Sequence, residues 1–211
     1  MPQMRGSHQK GTFITFEGID GCGKSTQAAF LRDWFVAQGR TVVLTREPGD
    51  WSQGSLLREL LLEGAFVHDQ TELFLFVADR CEHLAQVVFP ALSRGDTVIC
   101  DRYVDSTVAY QCFGRGQDRD FVRDLFRRAA FPMPDRTLWV DLPVSLAMER
   151  VGYREGIPDR LEENRSLIEL AARGFRTLCD ENPQRVWRID GVGTPHEVFS
   201  AVLNALGMGM P

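Results

Sequence analysis

Lysine is scarce in this 211-residue chain. Of its 24 lysine and arginine residues, only Lys10 and Lys24 are lysines. The guanine-specificity motif of ordinary GTPases, NKxD, requires a lysine, and neither of these two stands in such a motif. This absence excludes an ordinary GTPase. It also makes Lys24 stand out as a position that requires a compact ammonium group on a flexible stem.

Cysteine, histidine and long apolar runs give further exclusions. The five cysteines are odd in number and lack CxxC spacing, which favours free thiols in a reducing compartment over a disulfide framework. The four histidines have no metal-ligand spacing, and we expect them at surface or helix positions. No apolar run approaches the length of a membrane span, and the first ten residues lack the apolar segment of a signal peptide. We therefore expect a cytoplasmic protein.

The charge balance is mildly acidic. A formal net charge of −5 argues against bulk binding to nucleic acid or to an anionic membrane, although it permits a local cationic site for a phosphorylated ligand. Hydrophobic residues make up 44% and charged residues 25% of the chain, which is typical of a globular domain. We expect a flexible N-terminal tail over residues 1–11 and a single domain over residues 12–211.

Five short apolar runs predict β-strands. They are rich in β-branched or aromatic residues and read TFITF, TVVL, TVIC, TLWV and VWRI. Amphipathic helical patterns separate them. One such pattern extends from Leu73 to Val87 and is followed by Pro90, which we expect to end or kink the helix. Alternating strands and helices predict an α/β fold, a three-layer parallel sheet flanked by helices.

The segment that contains Lys24 matches a phosphate-binding motif. Gly18, Gly23, Lys24 and Ser25 satisfy GxxxxGK[ST], the P-loop, between a predicted strand and a predicted helix. The glycines let backbone N–H groups surround phosphate oxygens, Lys24 would reach the β- and γ-phosphates of ATP, and the Ser25 hydroxyl would bind Mg²⁺. The predicted ATP-binding residues are Gly18, Ile19, Asp20, Gly21, Cys22, Gly23, Lys24, Ser25 and Thr26.

Further chemistry is predicted near strand ends and on one helix face. Arg46 follows the strand TVVL, at the edge where ligands bind in open α/β sheets. Asp101 follows the run TVIC, the usual place for a Mg²⁺-coordinating Walker B carboxylate, and Arg102 beside it could clamp a phosphate. Phe76 and Arg80 share one helix face, which suits stacking on a base and hydrogen bonding to its edge.

Each of these positions also has a structural interpretation. Phe76 taken alone is more often a core residue than a stacking platform. The pair Asp79–Arg80 taken alone is most often a solvated ion pair, and Asp101–Arg102 can likewise be structural. A P-loop alone does not separate a kinase from a motor or a nucleotide-dependent switch. The residues considered one by one therefore leave the acceptor of the phosphate open.

The order of the motifs resembles one family. EGIDGCGKST, TREPG, FVADR, CDRYVDSTVAYQ and DRLE follow one another with the spacing found in thymidylate kinases, from about Thr12 to the C-terminal helix. The resemblance implies a P-loop NTPase fold of the nucleoside monophosphate kinase type. It implies a short lid at about residues 150–162, ATP as co-substrate, Mg²⁺ as cofactor, a homodimer, and the phosphorylation of dTMP to dTDP.

The resemblance also implies roles for individual residues. Phe76 would stack on thymine, Arg80 would bond its edge, and Tyr110 would lie near the 2′ position of the sugar. Arg46 and Arg102 would hold the dTMP phosphate. The remaining implied dTMP contacts are Asp20, Ser106, Thr107 and Gln111. The implied metal-site residues are Ser25, Asp101 and Glu162.

The P-loop lacks an arginine that could offset transition-state charge, so we expect one from elsewhere in the chain. The resemblance places a lid over an irregular, glycine-punctuated segment, and its candidate catalytic arginines are Arg150, Arg154 and Arg160. With Lys24 and Arg102 they complete the predicted catalytic set.

The chain departs from the family pattern at two places. Asp50 and Trp51 follow REPG where Gly-Thr is common, and Leu167 and Ile168 replace an aromatic pair.

Two alternatives also stay open. The protein could be a deoxynucleoside kinase or another nucleoside monophosphate kinase, or it could be a nucleotide-dependent switch without an acceptor. A panel of acceptors with ATP would separate them.

Overall fold

The structure, a computed structural model, describes residues 11–152 and 165–209. Its five strands are Thr12–Glu17 (β1), Val42–Arg46 (β2), Thr97–Asp101 (β3), Arg136–Asp141 (β4) and Val186–Asp190 (β5). Its α-helices are Lys24–Ala37 (α1), Gly54–Glu63 (α2), Asp69–His83 (α3), Phe89–Ser93 (α4), Val104–Thr107 (α5), Arg119–Arg128 (α6), Val144–Gly152 (α7), Arg165–Glu181 (α8) and Pro195–Ala205 (α9). Two π-helical segments, Leu84–Val88 and Val108–Gly114, continue α3 and α5.

The strands form one parallel sheet in the order β2-β3-β1-β4-β5. All five predicted strands are present, and helices flank the sheet, so the predicted α/β fold is confirmed. The neighbours β1 and β3 are connected onward in opposite directions along the sheet, β1 towards β2 and β3 towards β4. In open α/β sheets, ligands bind beyond the carboxyl ends of the strands at such a switch point. The topology therefore locates the site beyond Glu17 and Asp101.

The alternation of side chains along the central strands divides the core into two parts. Ile14 and Phe16 of β1 point into a cluster formed with α1, α8 and α9. Phe13 of β1 and Val98 and Cys100 of β3 point to the opposite face, against α3, α4 and α6. This arrangement follows from the two-residue period of a strand whose two faces are both covered. Burying both faces keeps β1 and β3 fixed, and with them the residues at their ends.

Pro90 does not end the helix, although an end or a kink was expected there. The helical backbone continues past this residue to Ser93, because the chain passes through the π-helical segment Leu84–Val88. Proline has no backbone N–H to donate four residues back, and a proline within the first turn of a helical segment loses no bond that the turn would otherwise make. The N–H of Phe89 bonds to the Leu84 oxygen, one residue farther back than in an α-helix.

The predicted domain limits and lid fall partly outside the described residues. Gly11, which the prediction assigned to the tail, is buried and donates its N–H to the Leu92 oxygen. The predicted lid, residues 150–162, overlaps the described chain only in the last turn of α7, which contains Arg150. Arg154, Arg160 and Glu162 lie outside the described residues. Among the helices that are described, none has the length and apolar character needed to cross a lipid bilayer.

Candidate active site

The P-loop connects β1 to α1 through a backbone that only glycine adopts readily. Gly18, Gly21 and Gly23 have φ angles of 142°, 82° and 98°. A Cβ atom on Gly21 would lie 2.2 Å from the Ala147 oxygen, so the loop is packed directly on α7. Gly23 precedes α1 without a side-chain cap, which leaves the first N–H groups of the helix available to an anion. The backbone of the loop is therefore shaped to surround an anion.

Not every predicted ATP-binding side chain faces the site. A cavity of about 280 Å³ at the carboxyl edge of the sheet is lined by Asp20, Gly21, Gly23, Lys24, Ser25 and Thr26. Ile19 and Cys22 instead point into the hydrophobic core, where their exposed fractions are 3% and 1%. Neither residue lines the cavity, and the Cys22 N–H donates to the Ile19 oxygen at 3.3 Å.

Asp20 joins the two cations at the centre of the site. Its Oδ1 accepts hydrogen bonds from Lys24 Nζ at 3.1 Å and from Arg102 Nη2 at 2.6 Å. Its Oδ2 accepts one from the Tyr110 hydroxyl at 3.2 Å. Burial disfavours the anion, but the Arg102 guanidinium and the Lys24 ammonium outweigh this effect and hold the pKa of Asp20 well below its usual range. Asp20 is therefore an anion at neutral pH and keeps both cations aimed at one point.

Arg102 has an unusual backbone conformation. Its φ is 73°, in the left-handed region that side chains other than glycine, asparagine and aspartate seldom adopt. Its N–H donates to the Phe16 oxygen at 2.9 Å, and its Nη1 donates to the Ser106 hydroxyl at 3.0 Å. A left-handed residue of this kind costs of order 1–3 kcal/mol and persists where its surroundings fix it, commonly at functional sites. The turn places the guanidinium beside the P-loop instead of along the strand.

Ser25 and Asp101 fit a divalent cation. The Ser25 hydroxyl donates to Asp101 Oδ2 across the gap between α1 and the end of β3. The other carboxylate oxygen, Asp101 Oδ1, is buried and has no hydrogen-bond partner among the described residues. A hydroxyl and a carboxylate oxygen are ligands that Mg²⁺ prefers, and an orphaned buried oxygen is commonly satisfied by an ion or its water. The pair is therefore suited to Mg²⁺, whereas Glu162 lies outside the described residues.

Arg80 is held in a buried polar network at the other end of the cavity. Its Nε donates to Glu47 Oε2 at 2.7 Å and its Nη2 to the Thr107 hydroxyl at 3.1 Å. His83 Nδ1 lies 2.9 Å from Glu47 Oε1, and His83 Nε2 lies 2.7 Å from the Thr45 hydroxyl. The remaining nitrogen, Arg80 Nη1, is buried without a hydrogen-bond partner in the described part of the chain. Arg80 also lines the cavity, so its guanidinium is oriented in advance at the acceptor end, as recognition of a ligand requires.

The other predicted acceptor residues line the same cavity. They are Arg46, Phe76, Arg102, Ser106, Thr107, Tyr110 and Gln111. Phe76 is half-buried, so one part of its ring packs on the core and another faces the cavity. Gln111 is oriented by Glu72, whose Oε1 accepts from Gln111 Nε2 at 2.9 Å. The structure thus brings the ATP-side and acceptor-side residues into one continuous space.

The loop after β2 is fastened to α3 by a carboxylate. Asp79 Oδ1 accepts from the Gly49 N–H at 2.9 Å and from the Trp51 indole N–H at 2.7 Å. Burial raises the pKa of Asp79 to about 6, while the Trp51 bond lowers it and the nearby Glu47 raises it. Asp79 therefore does not pair with Arg80, contrary to the ion-pair interpretation.

Arg150 is the lid arginine that the structure describes. It stands in the last turn of α7, and its Nη2 donates to the Gly191 oxygen at 3.4 Å. A Cβ atom on Gly23 would lie 4.0 Å from Arg150 Nη1, so the guanidinium is next to the P-loop backbone. This position is compatible with the predicted role at the transferring phosphate.

Comparison with known proteins identifies the family. The thymidylate kinase family model matches residues 16–202. The thymidylate kinase of Desulfovibrio desulfuricans is 44% identical over 206 residues, covering 92% of this chain and 94% of that protein. This chain belongs to the thymidylate kinase family. The thymidylate kinase of Bordetella petrii is 46% identical over 184 residues, covering 86% of this chain and 87% of that protein. The crystal structure of thymidylate kinase from Ehrlichia chaffeensis superposes with a TM-score of 0.78 at 30% identity, covering 93% of this chain and 99% of that one.

The two departures from the thymidylate kinase pattern have structural explanations. Trp51 supplies the indole donor to Asp79, and Asp50 Oδ2 accepts from the Thr45 hydroxyl at 2.9 Å. Leu167 and Ile168, where the family often has an aromatic pair, are both buried in the core with exposed fractions of 3%. Both departures are therefore accommodated by hydrogen bonds or by packing within the fold.

Sequence reasoning missed several residues that shape this thymidylate kinase site. His83, expected at a surface or helix position, lies in the last turn of α3 but is completely buried. Its spacing of three residues from Arg80 was a signal that they share a face. Glu47 lies inside the motif TREPG, but nothing in that motif shows which arginine it binds. Arg58, whose Nη1 donates to the Pro48 oxygen at 2.8 Å, lines the cavity and had no motif to mark it.

Proposed function

We propose that this thymidylate kinase transfers the γ-phosphoryl group of ATP in line to the phosphate of dTMP. Lys24 and Arg102 offset the negative charge of the donor and acceptor phosphates. Family membership supplies the overall activity, the ATP-dependent phosphorylation of dTMP to dTDP. One observation supports the residue assignment. A single cavity is lined at one end by the P-loop and at the other by Phe76 and Arg80. Donor and acceptor would therefore meet between them.

The reaction needs little proton transfer, because the acceptor phosphate is already an anion at neutral pH. Catalysis then depends on alignment and on offsetting charge. Lys24 would hold the donor phosphates against the P-loop, and Arg102 with Arg46 would hold the dTMP phosphate. Asp20 accepts from Lys24 and from Arg102, so it sets the spacing of the two cations. These roles follow the positions of the side chains around the cavity.

We also propose that Ser25 and Asp101 hold Mg²⁺, with Glu162 contributing. When bound, the ion would supply positive charge that offsets the charge developing on the donor phosphates. The support is the orphaned oxygen of Asp101 opposite the Ser25 hydroxyl.

At the acceptor end, Phe76 would stack on thymine while the Arg80 side chain bonds the edge of the base. Thr107 and Gln111 would approach the same ring, and Tyr110 would lie near C2′ of the sugar. Arg80 is fixed before any ligand arrives, since Glu47 and Thr107 accept from two of its nitrogens. Preorganisation of this kind lowers the entropic cost of binding.

Arg150, Arg154 and Arg160 are proposed to bring positive charge to the transferring phosphoryl group when the lid closes. Arg150 already lies beside the P-loop. An arginine that offsets transition-state charge raises the rate by roughly 10³–10⁵ in GTPases that acquire one.

An acceptor panel tests the proposed function. Purified protein would be incubated with ATP and Mg²⁺ and with dTMP, dUMP, dCMP, dGMP or thymidine, while ADP release is followed. We expect ADP release that depends on dTMP and no phosphorylation of thymidine, because the cationic acceptor end is built for a phosphate. Phosphorylation of thymidine, or ATP hydrolysis that dTMP does not change, would overturn the proposal.

We propose a homodimer as the assembly. Helix α2 packs on α3, and Phe74 of α3 meets Phe121 of α6 with ring centroids 6.5 Å apart. Large apolar side chains exposed on these helices are Leu56, Leu60, Phe74 and Phe121, and exposed apolar surface of this kind is typical of an interaction surface. Sedimentation equilibrium would test the assembly: the parent should be a dimer and Leu60→Glu should dissociate it. A monomeric parent at micromolar concentration would contradict it.

A cytoplasmic location is proposed on the five free cysteines.

A further inference from the structure

Glu17 is a buried carboxylate for which the proposed mechanism has no use. It is the last residue of β1, and its exposed fraction is 0%. Its Oε1 accepts from the Tyr103 N–H at 2.8 Å, and its Oε2 accepts from the Ser106 hydroxyl at 2.5 Å. Both donors are neighbours of Arg102. Tyr103 follows Arg102 in the chain, and the Ser106 hydroxyl accepts a hydrogen bond from the Arg102 guanidinium.

We propose that Glu17 is a positioning residue for Arg102. Its bond from the Tyr103 N–H fixes the left-handed turn at Arg102, and its bond from the Ser106 hydroxyl orients the Ser106 oxygen to accept from the Arg102 guanidinium. The inference rests on the proposed function, in which Arg102 holds the dTMP phosphate. Glu17 has no place on the cavity wall, so it acts through these neighbours and not on the substrate.

The geometry explains why the position requires an anion that accepts two bonds. Ser106 has one hydroxyl proton. By giving that proton to Glu17 Oε2, it turns its lone pairs towards Arg102 Nη1, 3.0 Å away. A glutamine could accept from Tyr103 with its oxygen, but its amide group would then donate to Ser106. Ser106 would lose its fixed orientation, and the support behind the guanidinium would weaken.

Burial of this carboxylate costs folding free energy, which is evidence that its place is not set by stability. Burial and then the neighbouring Asp105 raise the pKa of Glu17, whereas Ser106 and Arg102 lower it, and the net result is a pKa of about 7. Other charged groups that act on it are Arg80 of α3 and Arg185 after α8. Since the folded-state pKa lies above the ordinary 4.5, the cost of the ionised form grows as pH rises from 4.5 and is complete above about pH 7.

The test compares Glu17→Gln, Ser106→Ala and the double variant with the parent at pH 8. Each single change should lower kcat/KM for dTMP about tenfold while the KM for ATP changes less than about twofold. If Glu17 acts through Ser106, the double variant should match the lower single variant to within about twofold, whereas independent roles would give about a hundredfold loss. An additive double variant, or a Glu17→Gln enzyme indistinguishable from the parent, would overturn the proposal.

Two further readouts separate positioning from a structural role. The melting temperature of Glu17→Gln at pH 8 should equal or exceed that of the parent, because a buried anion is removed. The ratio of parent to Glu17→Gln in kcat/KM should be larger at pH 8 than at pH 6. The dTMP phosphate also titrates in this range, since its second pKa is about 6, and taking the ratio cancels this contribution. A lower melting temperature with a ratio that does not change with pH would assign Glu17 to the fold alone.

Asp105→Asn serves as the matched control. Asp105 is a second buried carboxylate on the same turn, but it bonds Arg185 at 2.6 and 2.8 Å and Thr137 at 3.1 Å, away from Arg102. The Asp105→Asn variant should have a lower melting temperature than the parent. At a temperature where it is folded, its kcat/KM for dTMP should equal that of the parent. A parent that fails to phosphorylate dTMP at all would refute the proposed function. The proposal for Glu17 is decided only by variants of an active parent.

Discussion

Replacing Trp51 with phenylalanine should loosen the acceptor loop in a way that depends on pH. The change removes the indole N–H that bonds Asp79 at 2.7 Å and leaves the Gly49 N–H as the remaining donor to that oxygen. A hydrogen bond to a charged group is worth about 1.5–3 kcal/mol, and in a domain of this size 1 kcal/mol shifts the melting temperature by about 2–4 °C. We expect a loss of about 4–10 °C at pH 8, with a rise in dTMP KM and an unchanged ATP KM.

The pH dependence follows from the pKa of Asp79, which is about 6. The carboxylate is ionised at pH 8 and mostly protonated at pH 5, and a bond to the neutral group is worth only about 0.5–1.5 kcal/mol. The loss in melting temperature should therefore be smaller at pH 5. Trp34→Phe is the matched control, because Trp34 is half-buried against Phe35 and the core. Equal losses at the two pH values, or a loss no larger than that of Trp34→Phe, would refute this reasoning.

Three further predictions concern the substrates. Lys24→Arg should lower kcat by about a hundredfold or more with an unchanged circular dichroism spectrum, because a planar guanidinium does not fit where a compact ammonium is wrapped by backbone; near-normal kinetics would contradict it. Phe76→Ala and Arg80→Met should raise the dTMP KM by the equivalent of roughly 1–3 kcal/mol and leave the ATP KM unchanged; equal changes in both KM values would make this helix face structural. Arg154→Ala should lower kcat about a hundredfold with little change in dTMP KM, and Arg150→Ala by as much or less; steady-state rates within a few-fold of the parent for both would remove the lid arginines from catalysis.

The features that could be predicted from sequence are those whose cause is local. The five strands could be predicted because β-branched and aromatic residues are concentrated in each run, and the central strands β1, β3 and β4 are buried on both faces. The P-loop was predictable because its glycines are required by the backbone itself. Phe76 and Arg80 could be placed together because helical spacing alone puts them on one face. Each of these inferences needs only a few neighbouring residues.

Features that depend on a distant partner could not be predicted. Glu47 meets Arg80 across 33 positions, and Glu17 meets Ser106 across 89. No periodicity records such a pairing, because it depends on which strand ends the topology brings side by side. His83 lies in a helix, as was allowed for, but its burial could not be predicted for the same reason, since its two partners, Glu47 and Thr45, both belong to the segment at the end of β2. The continuation of the helix through Pro90 depended on a π-helical turn, which has no sequence signature of its own.

The contact between the P-loop and α7 has a consequence for inhibitor design. A side chain at Gly21 would collide with the Ala147 oxygen, and one at Gly18 would lie 2.7 Å from the Val140 oxygen. Single substitutions at these positions therefore disrupt the loop conformation that binds phosphate. Few substitutions could then confer resistance to a compound that binds the loop backbone. The same backbone gives little selectivity, because any P-loop kinase presents it. The loop after β2, which lines the same cavity through Pro48, offers the opposite balance, a side-chain contact at a position that can mutate. An inhibitor that spans both would combine durability at one end with selectivity at the other.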